Sequence, residues 1–179
     1  MKNLSDYVYI ENIFSKQFCD NVISEIKTLE LSSHTWYGYG EDNFINMKDF
    51  MVTYSNKLQE EMRSNIYSLL MNYVNSIGST FAIHQLSDIR FNIYDIGSGI
   101  KEHIDHIHSL FDGEQKGIPI LSIVGLLNSD YEGGKFILCD REVHLDTGDA
   151  IVFPSAFLYP HSVTPVKSGV RYSWVVWAY

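Results

Sequence analysis

Apolar residues in the first part of the chain recur at helical spacing, and beyond about Thr80 they fall into short, strand-like runs. Between Lys16 and about Leu29, Phe18, Val22, Ile26 and Leu29 line one helix face, and Ser15 supplies a start signal. A short strand over Tyr7–Ile13 precedes them. The second stripe is longer: Leu58, Met62, Ile66, Leu69, Leu70, Tyr73, Val74 and Ile77. Asn56 with Gln59 forms a capping box ahead of it, and Gly78 stops it. Stripes of this kind bury one helix face, so packing against a sheet is their expected role.

The strand-like runs are Phe81–Leu86, Ile89–Tyr94, Lys101–His106, Ile120–Leu127, Gly134–Leu138, Glu142–Leu145, Ala150–Phe153, Ser162–Pro165 and Arg171–Trp177. Turn residues separate them, among them Gly97-Ser98-Gly99, Gly133-Gly134, Thr147-Gly148-Asp149 and Lys167-Ser168-Gly169. Many short strands with this punctuation predict a sandwich or jelly roll, with the two helices covering one outer sheet face. The fold class is therefore mainly β with N-terminal helices. No repeat or linker divides the chain, so one domain over 1–179 is expected, with 1–80 as helical support and 81–179 as the jelly-roll core. The aromatic, Gly-rich stretch His34–Asn46 reads as a loop or twisted hairpin.

Composition narrows the function classes. A chain of 179 residues that is 45% hydrophobic and 14% aromatic can bury a real core. Its net charge of −9 argues against a nucleic-acid partner. Cys19 and Cys139 are the only cysteines, with no zinc-finger spacing. Two lone thiols fit a reducing compartment. The first residues lack the layout of a signal peptide, and no apolar run is long enough to span a bilayer. A cytoplasmic protein without membrane contact is the expectation.

The chemistry concentrates in His103-Ile104-Asp105, His161 and Arg171. Two imidazoles and one carboxylate are the set that holds a non-haem ferrous ion while leaving about three octahedral positions open. Residues two apart on a strand project from one face, so His103 and Asp105 can reach one ion, and His161 can close the set from a distant strand. His106 and His108 are further potential ligands. The carboxylate of Asp105 partly neutralises the ion and favours iron or manganese over a purely imidazole site. Arg171 opens an aromatic, β-branched strand. A guanidinium in an apolar barrel needs an anion, and its fork fits a carboxylate. Ser173 faces the same way.

In their order, these residues resemble the Fe(II)/2-oxoglutarate-dependent dioxygenases, prolyl 4-hydroxylase-like branch. The matching phrases are Arg90-Phe91-Asn92-Ile93-Tyr94, His103-Ile104-Asp105, Leu126-Leu127-Asn128, Tyr131-Glu132-Gly133-Gly134, Gly148-Asp149-Ala150-Ile151-Val152-Phe153-Pro154, Pro160-His161-Ser162-Val163 and Gly169-Val170-Arg171-Tyr172-Ser173. The resemblance covers about Asp88 to Tyr179 and implies a double-stranded β-helix. It assigns iron to His103, Asp105 and His161, and the distal carboxylate of 2-oxoglutarate to Arg171 with Ser173 as helper. Tyr94 resembles a family tyrosine near the cosubstrate, with Asn92 on the same strand face. The implied cofactors are Fe(II), 2-oxoglutarate and O2, with ascorbate as an auxiliary reductant. The implied reaction is oxidative decarboxylation of 2-oxoglutarate coupled to hydroxylation of a substrate C–H bond. Asp105 disfavours halogenation, because halogenating relatives carry a small residue there.

The implied substrate is a peptidyl proline in a peptide or protein. An AlkB-like demethylase and a small-molecule hydroxylase are the enzymatic alternatives, and a cupin-like metal- or ligand-binding module is the non-enzymatic one. Ile100 stands where many prolyl hydroxylases carry a tyrosine, and Leu126 where some relatives do. Trp36–Gly40 and Ser109–Pro119 are the candidate lid loops.

Overall fold

The computed structural model describes residues 2–34, 50–78, 81–105 and 119–179. The candidate lid segment Trp36–Gly40 lies outside them, as do His106, His108 and all of Ser109–Pro119 except Pro119. The elements in chain order are β1 (Tyr9–Asn12), α1 (Lys16–Ile26), β2 (Ser32–Ser33), β3 (Met51–Thr53), α2 (Asn56–Ile77), β4 (Arg90–Tyr94) and β5 (Ile100–His103). There follow β6 (Leu121–Leu126), β7 (Glu132–Gly133), β8 (Phe136–Leu138), β9 (Arg141–Val143), β10 (Asp149–Pro154), β11 (His161–Val163), β12 (Val166–Ser168) and β13 (Arg171–Ala178).

Seven strands form the larger sheet in the order β1-β10-β6-β13-β4-β3-β2, and four form a facing sheet, β5-β11-β8-β9. A short β12-β7 pair forms a third, two-stranded sheet. All pairings among the described strands are antiparallel. This is the double-stranded β-helix, with the site carried between its two sheets. The N-terminal segment does more than cover the sheet: β1 extends it at one edge, and β2 and β3 extend it at the other.

Strand alternation sorts the larger sheet into two faces. On the outer face, Phe91, Ile93, Leu121, Ile123, Ala150, Val152, Trp174 and Val176 meet the apolar stripes of α1 and α2 in one cluster. On the inner face, Tyr94, Val124, Leu126, Ile151, Phe153 and Val175 meet Phe136, Leu138 and Val163 of the smaller sheet. Arg171 and Ser173 share β13's inner face, because they alternate with Tyr172 and Trp174.

The helices begin where a side chain meets free backbone N–H groups. Ser15 Oγ accepts from the N–H of Phe18, 3.2 Å away. For α2 the cap is Ser55, which accepts from the N–H of Leu58, and not a box led by Asn56. Gln59 is buried and directed elsewhere. It accepts from the N–H of Ile89 at 2.8 Å, which ties α2 to the start of β4. Gly78 takes a left-handed conformation, φ 62°, and ends α2 as expected. The run Phe81–Leu86 is not a strand, and only Leu86 forms a bridge, to Ala178.

Candidate metal and cosubstrate site

His103 is the last residue of β5 and stands directly across from His161, the first of β11. Asp105 lies in the bend just past β5, so the strand expected to carry it ends two residues early. The three side chains still converge: one ligand atom from each lies within 4.8 Å of the others. Asp105 Oδ1 is 3.6 Å from His103 Nε2, and Asp105 Oδ2 is 3.5 Å from His161 Nε2.

Backbone carbonyls orient both rings. His103 Nδ1 sits 2.8 Å from the carbonyl of Lys101, and His161 Nδ1 sits 3.2 Å from that of Tyr159. In a neutral ring these contacts place the proton on Nδ1, so each Nε2 turns a lone pair inward. Burial pushes His161 down to about 4, with His103 adding to the shift and Asp105 opposing it. Burial alone raises the Asp105 pKa. The hydrogen bond with His103, the charges of His161 and His103 and the Ser122 hydroxyl outweigh it and hold the carboxyl below its usual range. With the His161 ring uncharged at neutral pH and Asp105 ionised, the centre gathers electron-donor atoms in one place. Such a set repels itself unless a cation sits among its members, which fits a metal ion.

Asp105 is also fixed from behind. Ser122, on the inner face of β6, donates to Asp105 Oδ2 at 2.6 Å, and Ser155 lies 2.7 Å from Ser122 Oγ. Both serines are buried. Sequence reasoning did not find them. The signal that could have done so was a hydroxyl inside the otherwise apolar β6, on the face it shares with Val124 and Leu126.

Arg171 is 1% exposed and has no carboxylate partner among the described residues. Its Nη1 donates to Ser173 Oγ at 2.7 Å, and its Nε is buried with no hydrogen-bond partner. The guanidinium lies over the ring of Tyr94, 5.2 Å from the centroid, and Tyr94 stands opposite Arg171 in register. Phe50 stacks on Tyr94 at 4.5 Å and His34 stacks on Phe50 at 4.3 Å, two further members that sequence reasoning missed. The bond to Ser173 draws the arginine along β13 towards the end where Trp177 pairs with Ser122, the partner of Asp105. An unpaired buried guanidinium is costly, and a bidentate acid would relieve it. Asn92 is buried on the same face as Tyr94 but accepts from Arg90 Nε at 3.0 Å and makes no hydrogen bond to Arg171. A cavity of about 160 Å³, lined by Leu126, Tyr131, Gly134, Phe136 and Leu145 among others, opens onto Arg171 and does not reach the triad.

A double-stranded β-helix holding two histidines and a carboxylate between its sheets, with a buried arginine on the inner face of the larger one, defines a class, the non-haem iron oxygenases that use a 2-oxo acid. The profile of the 2OG-Fe(II) oxygenase superfamily matches residues 89–179, half of the chain, and the chain belongs to that superfamily. Fe(II), 2-oxoglutarate and O2 are the reactants that this family implies. A PKHD-type hydroxylase of Stenotrophomonas maltophilia (strain R551-3) is 39% identical over 94 residues, 49% of this chain and 41% of that protein. One from Aliarcobacter butzleri (strain RM4018) is 33% identical over 142 residues, 74% of this chain and 61% of that protein. The chain thus spans about half the length of the curated relatives it matches. Among solved structures, the viral collagen prolyl hydroxylase vCPH from Paramecium Bursaria Chlorella virus-1 superposes with a TM-score of 0.71 at 17% identity. That match covers 96% of this chain and 94% of the other. No helix among the described residues is long and apolar enough to cross a membrane.

Proposed function

We propose that this protein is an Fe(II)- and 2-oxoglutarate-dependent hydroxylase, with His103, Asp105 and His161 holding the metal and Arg171 receiving the distal carboxylate of 2-oxoglutarate. Iron and 2-oxoglutarate together supply the oxidising chemistry. The chain's own residues orient and shield it. Carbonyls of Lys101 and Tyr159 keep both imidazoles in the ligating tautomer. Ser122 fixes the rotation of Asp105. Ser173 and the face of Tyr94 set the plane of the arginine fork. Val124, Leu126, Ile151 and Phe153 line the space between the sheets and exclude water.

The single observation that carries this reading is Arg171, a buried cation with an orphaned Nε and no described acid in reach, on the same inner face as the triad's support. A cupin-like binding module has no use for such a group. For the substrate we take a peptidyl proline, supported by the hydroxylase relatives and the collagen prolyl hydroxylase fold neighbour. Ile100 and Leu126, both buried in the inner cluster, make the inner wall apolar where many prolyl hydroxylases (Ile100) and some relatives (Leu126) carry a tyrosine. Two unpaired cysteines support a cytoplasmic location.

The test is succinate formation from 2-oxoglutarate with Fe(II), followed by mass spectrometry of a proline-containing peptide library. A gain of one oxygen on proline is expected. Turnover that leaves every peptide unmodified would remove the peptidyl substrate, and an absence of both turnover and 2-oxoglutarate binding would remove the oxygenase.

A further inference from the structure

Arg90 is a second cation on the inner face of the larger sheet, and the proposed reaction gives it no role. It opens β4 two residues before Asn92 and four before Tyr94, so all three side chains share one face. Across the ladder it stands opposite Val175, and its guanidinium carbon lies 5.0 Å from the centroid of the Trp177 ring. Trp177 pairs in register with Ser122, whose hydroxyl holds Asp105. Arg90 therefore belongs to the triad's end of the barrel, whereas Tyr94, opposite Arg171, marks the other end of β4.

The side chain is held but not satisfied. Its Nε donates to Asn92 Oδ1 at 3.0 Å, and Trp177 supports the guanidinium by a cation–π contact. No described carboxylate pairs with it, and neither terminal nitrogen donates to a described residue. Unlike the sealed Arg171, Arg90 retains partial solvent contact, so its free edge can meet a molecule arriving from outside. Burial lowers its pKa. The charges it senses in return are those of Tyr94, Tyr54 and Asp105, which places it within electrostatic reach of the triad.

Charge balance then selects the ligand. A ferrous ion, the Asp105 carboxylate, a 2-oxoglutarate dianion and the Arg171 guanidinium sum to neutrality, and Arg90 is left over as an unmatched positive charge. We infer that Arg90 selects the substrate by its carboxylate: the molecule hydroxylated carries an acid group, a free carboxyl terminus or an acidic side chain, a short reach from the reacting C–H bond. The fork geometry of a guanidinium with Nε already engaged leaves its terminal pair to receive two carboxylate oxygens. This inference rests on the hydroxylase function proposed above.

The test uses the Mn(II)-loaded protein with saturating 2-oxoglutarate and two probes that differ only in charge, N-acetyl-L-proline and N-acetyl-L-prolinamide. Broadening of the probes' proton resonances by Mn(II) reports binding next to the metal without turnover. The acid should bind at least about tenfold more tightly than the amide, the worth of a charge-assisted pair. Arg90→Gln should weaken the acid until the two probes differ by less than about twofold, with the amide held as before, and Arg90→Lys should restore part of the preference. Equal binding of both probes by the unmodified protein, or no binding of the acid, overturns the inference. So does an Arg90→Gln protein that keeps the preference, or one that loses both probes, because the residue would then be structural. Titration of 2-oxoglutarate in the same samples separates the two levels. A protein that binds 2-oxoglutarate yet treats acid and amide alike overturns this inference alone, and one that binds no 2-oxoglutarate overturns the function as well.

Discussion

Asp105 is steadied from behind by a hydroxyl, and this support has a measurable consequence. Ser122 donates to Asp105 Oδ2, so its own lone pairs are free to accept from Ser155. The pair works as a relay with one direction: Ser155 orients Ser122, and Ser122 orients the carboxylate. Groups that orient a metal ligand are typically worth about 10–100-fold in metal affinity. Ser122→Ala should therefore weaken Mn(II) binding, followed by calorimetric titration, by roughly tenfold or more. Ser155→Ala should cost less, and the double variant little more than Ser122→Ala alone, because the second hydroxyl acts through the first. Additive losses would mean that the two serines serve Asp105 independently. Arg171 divides its effects differently. On the proposed assignment, removing it deletes the partner of the acid and leaves the three proposed metal ligands in place, so Arg171→Ala should weaken 2-oxoglutarate binding on the order of a hundredfold or more, with a far smaller change for Mn(II). Equal losses of both would show Arg171 to be a packing residue.

At the scale of elements, β6 and β13 decide whether the site has a floor. They pair over six registers, Ser173↔Leu126 to Ala178↔Leu121, and each strand sends one face to the helices and the other to the site. Gly125 is where the outer face is tightest. A Cβ there would come within 2.0–2.3 Å of the Trp174 indole, which lies buried between the sheet and α1's end of the core. Gly125→Ala must push Trp174 aside, and should destabilise the protein by about 1–3 kcal/mol, read as a lower urea midpoint. A midpoint within error of the parent would show that the indole has room to move. Short apolar runs bounded by turn residues announced β4, β10 and β13, the stripe of α2 is a strong, local signal, and the order of His103, Asp105, His161 and Arg171 carried the candidate site. What was not legible depended on partners far away in the chain. The two-residue β2 and three-residue β3 are too short to show a period, and they exist because β4 offers an edge. Ser55 rather than Asn56 caps α2 because Gln59, the other half of the expected box, is drawn to Ile89. The turn between β8 and β9 passes through Cys139 and Asp140 with φ of 49° and 61°, a left-handed pair with no glycine to announce it.

For the whole molecule, the same burial that prepares the site for a metal sets how the metal-free protein responds to acid. His161 and His34 are both pushed down to about 4, in each case by burial first. For His34 the nearby charges of Arg90 and His103 add to it, and for His161 that of His103 adds while Asp105 opposes. In the unfolded chain both rings return to about 6.5. Between those values the unfolded state binds more protons than the folded one, so stability falls as pH falls from about 6.5 to about 4 and is flat above about 7. Asp105, held low in the fold, contributes stability that is present above the ordinary carboxylate range and is lost only below it, outside this window. At pH 5 each histidine forgoes about 1.5 pK units, so the two together cost on the order of 2–4 kcal/mol, a large share of the stability of a small domain. The urea midpoint of the metal-free protein should therefore drop clearly between pH 7.5 and pH 5. Mn(II) should raise the midpoint strongly at pH 7.5 and much less at pH 5, because the metal must compete with protons for the imidazole nitrogens and its free energy of binding adds to that of folding. A midpoint unchanged from pH 7.5 to pH 5 would mean that the two rings are open to water, and a Mn(II) effect independent of pH would place the ion on ligands other than imidazoles.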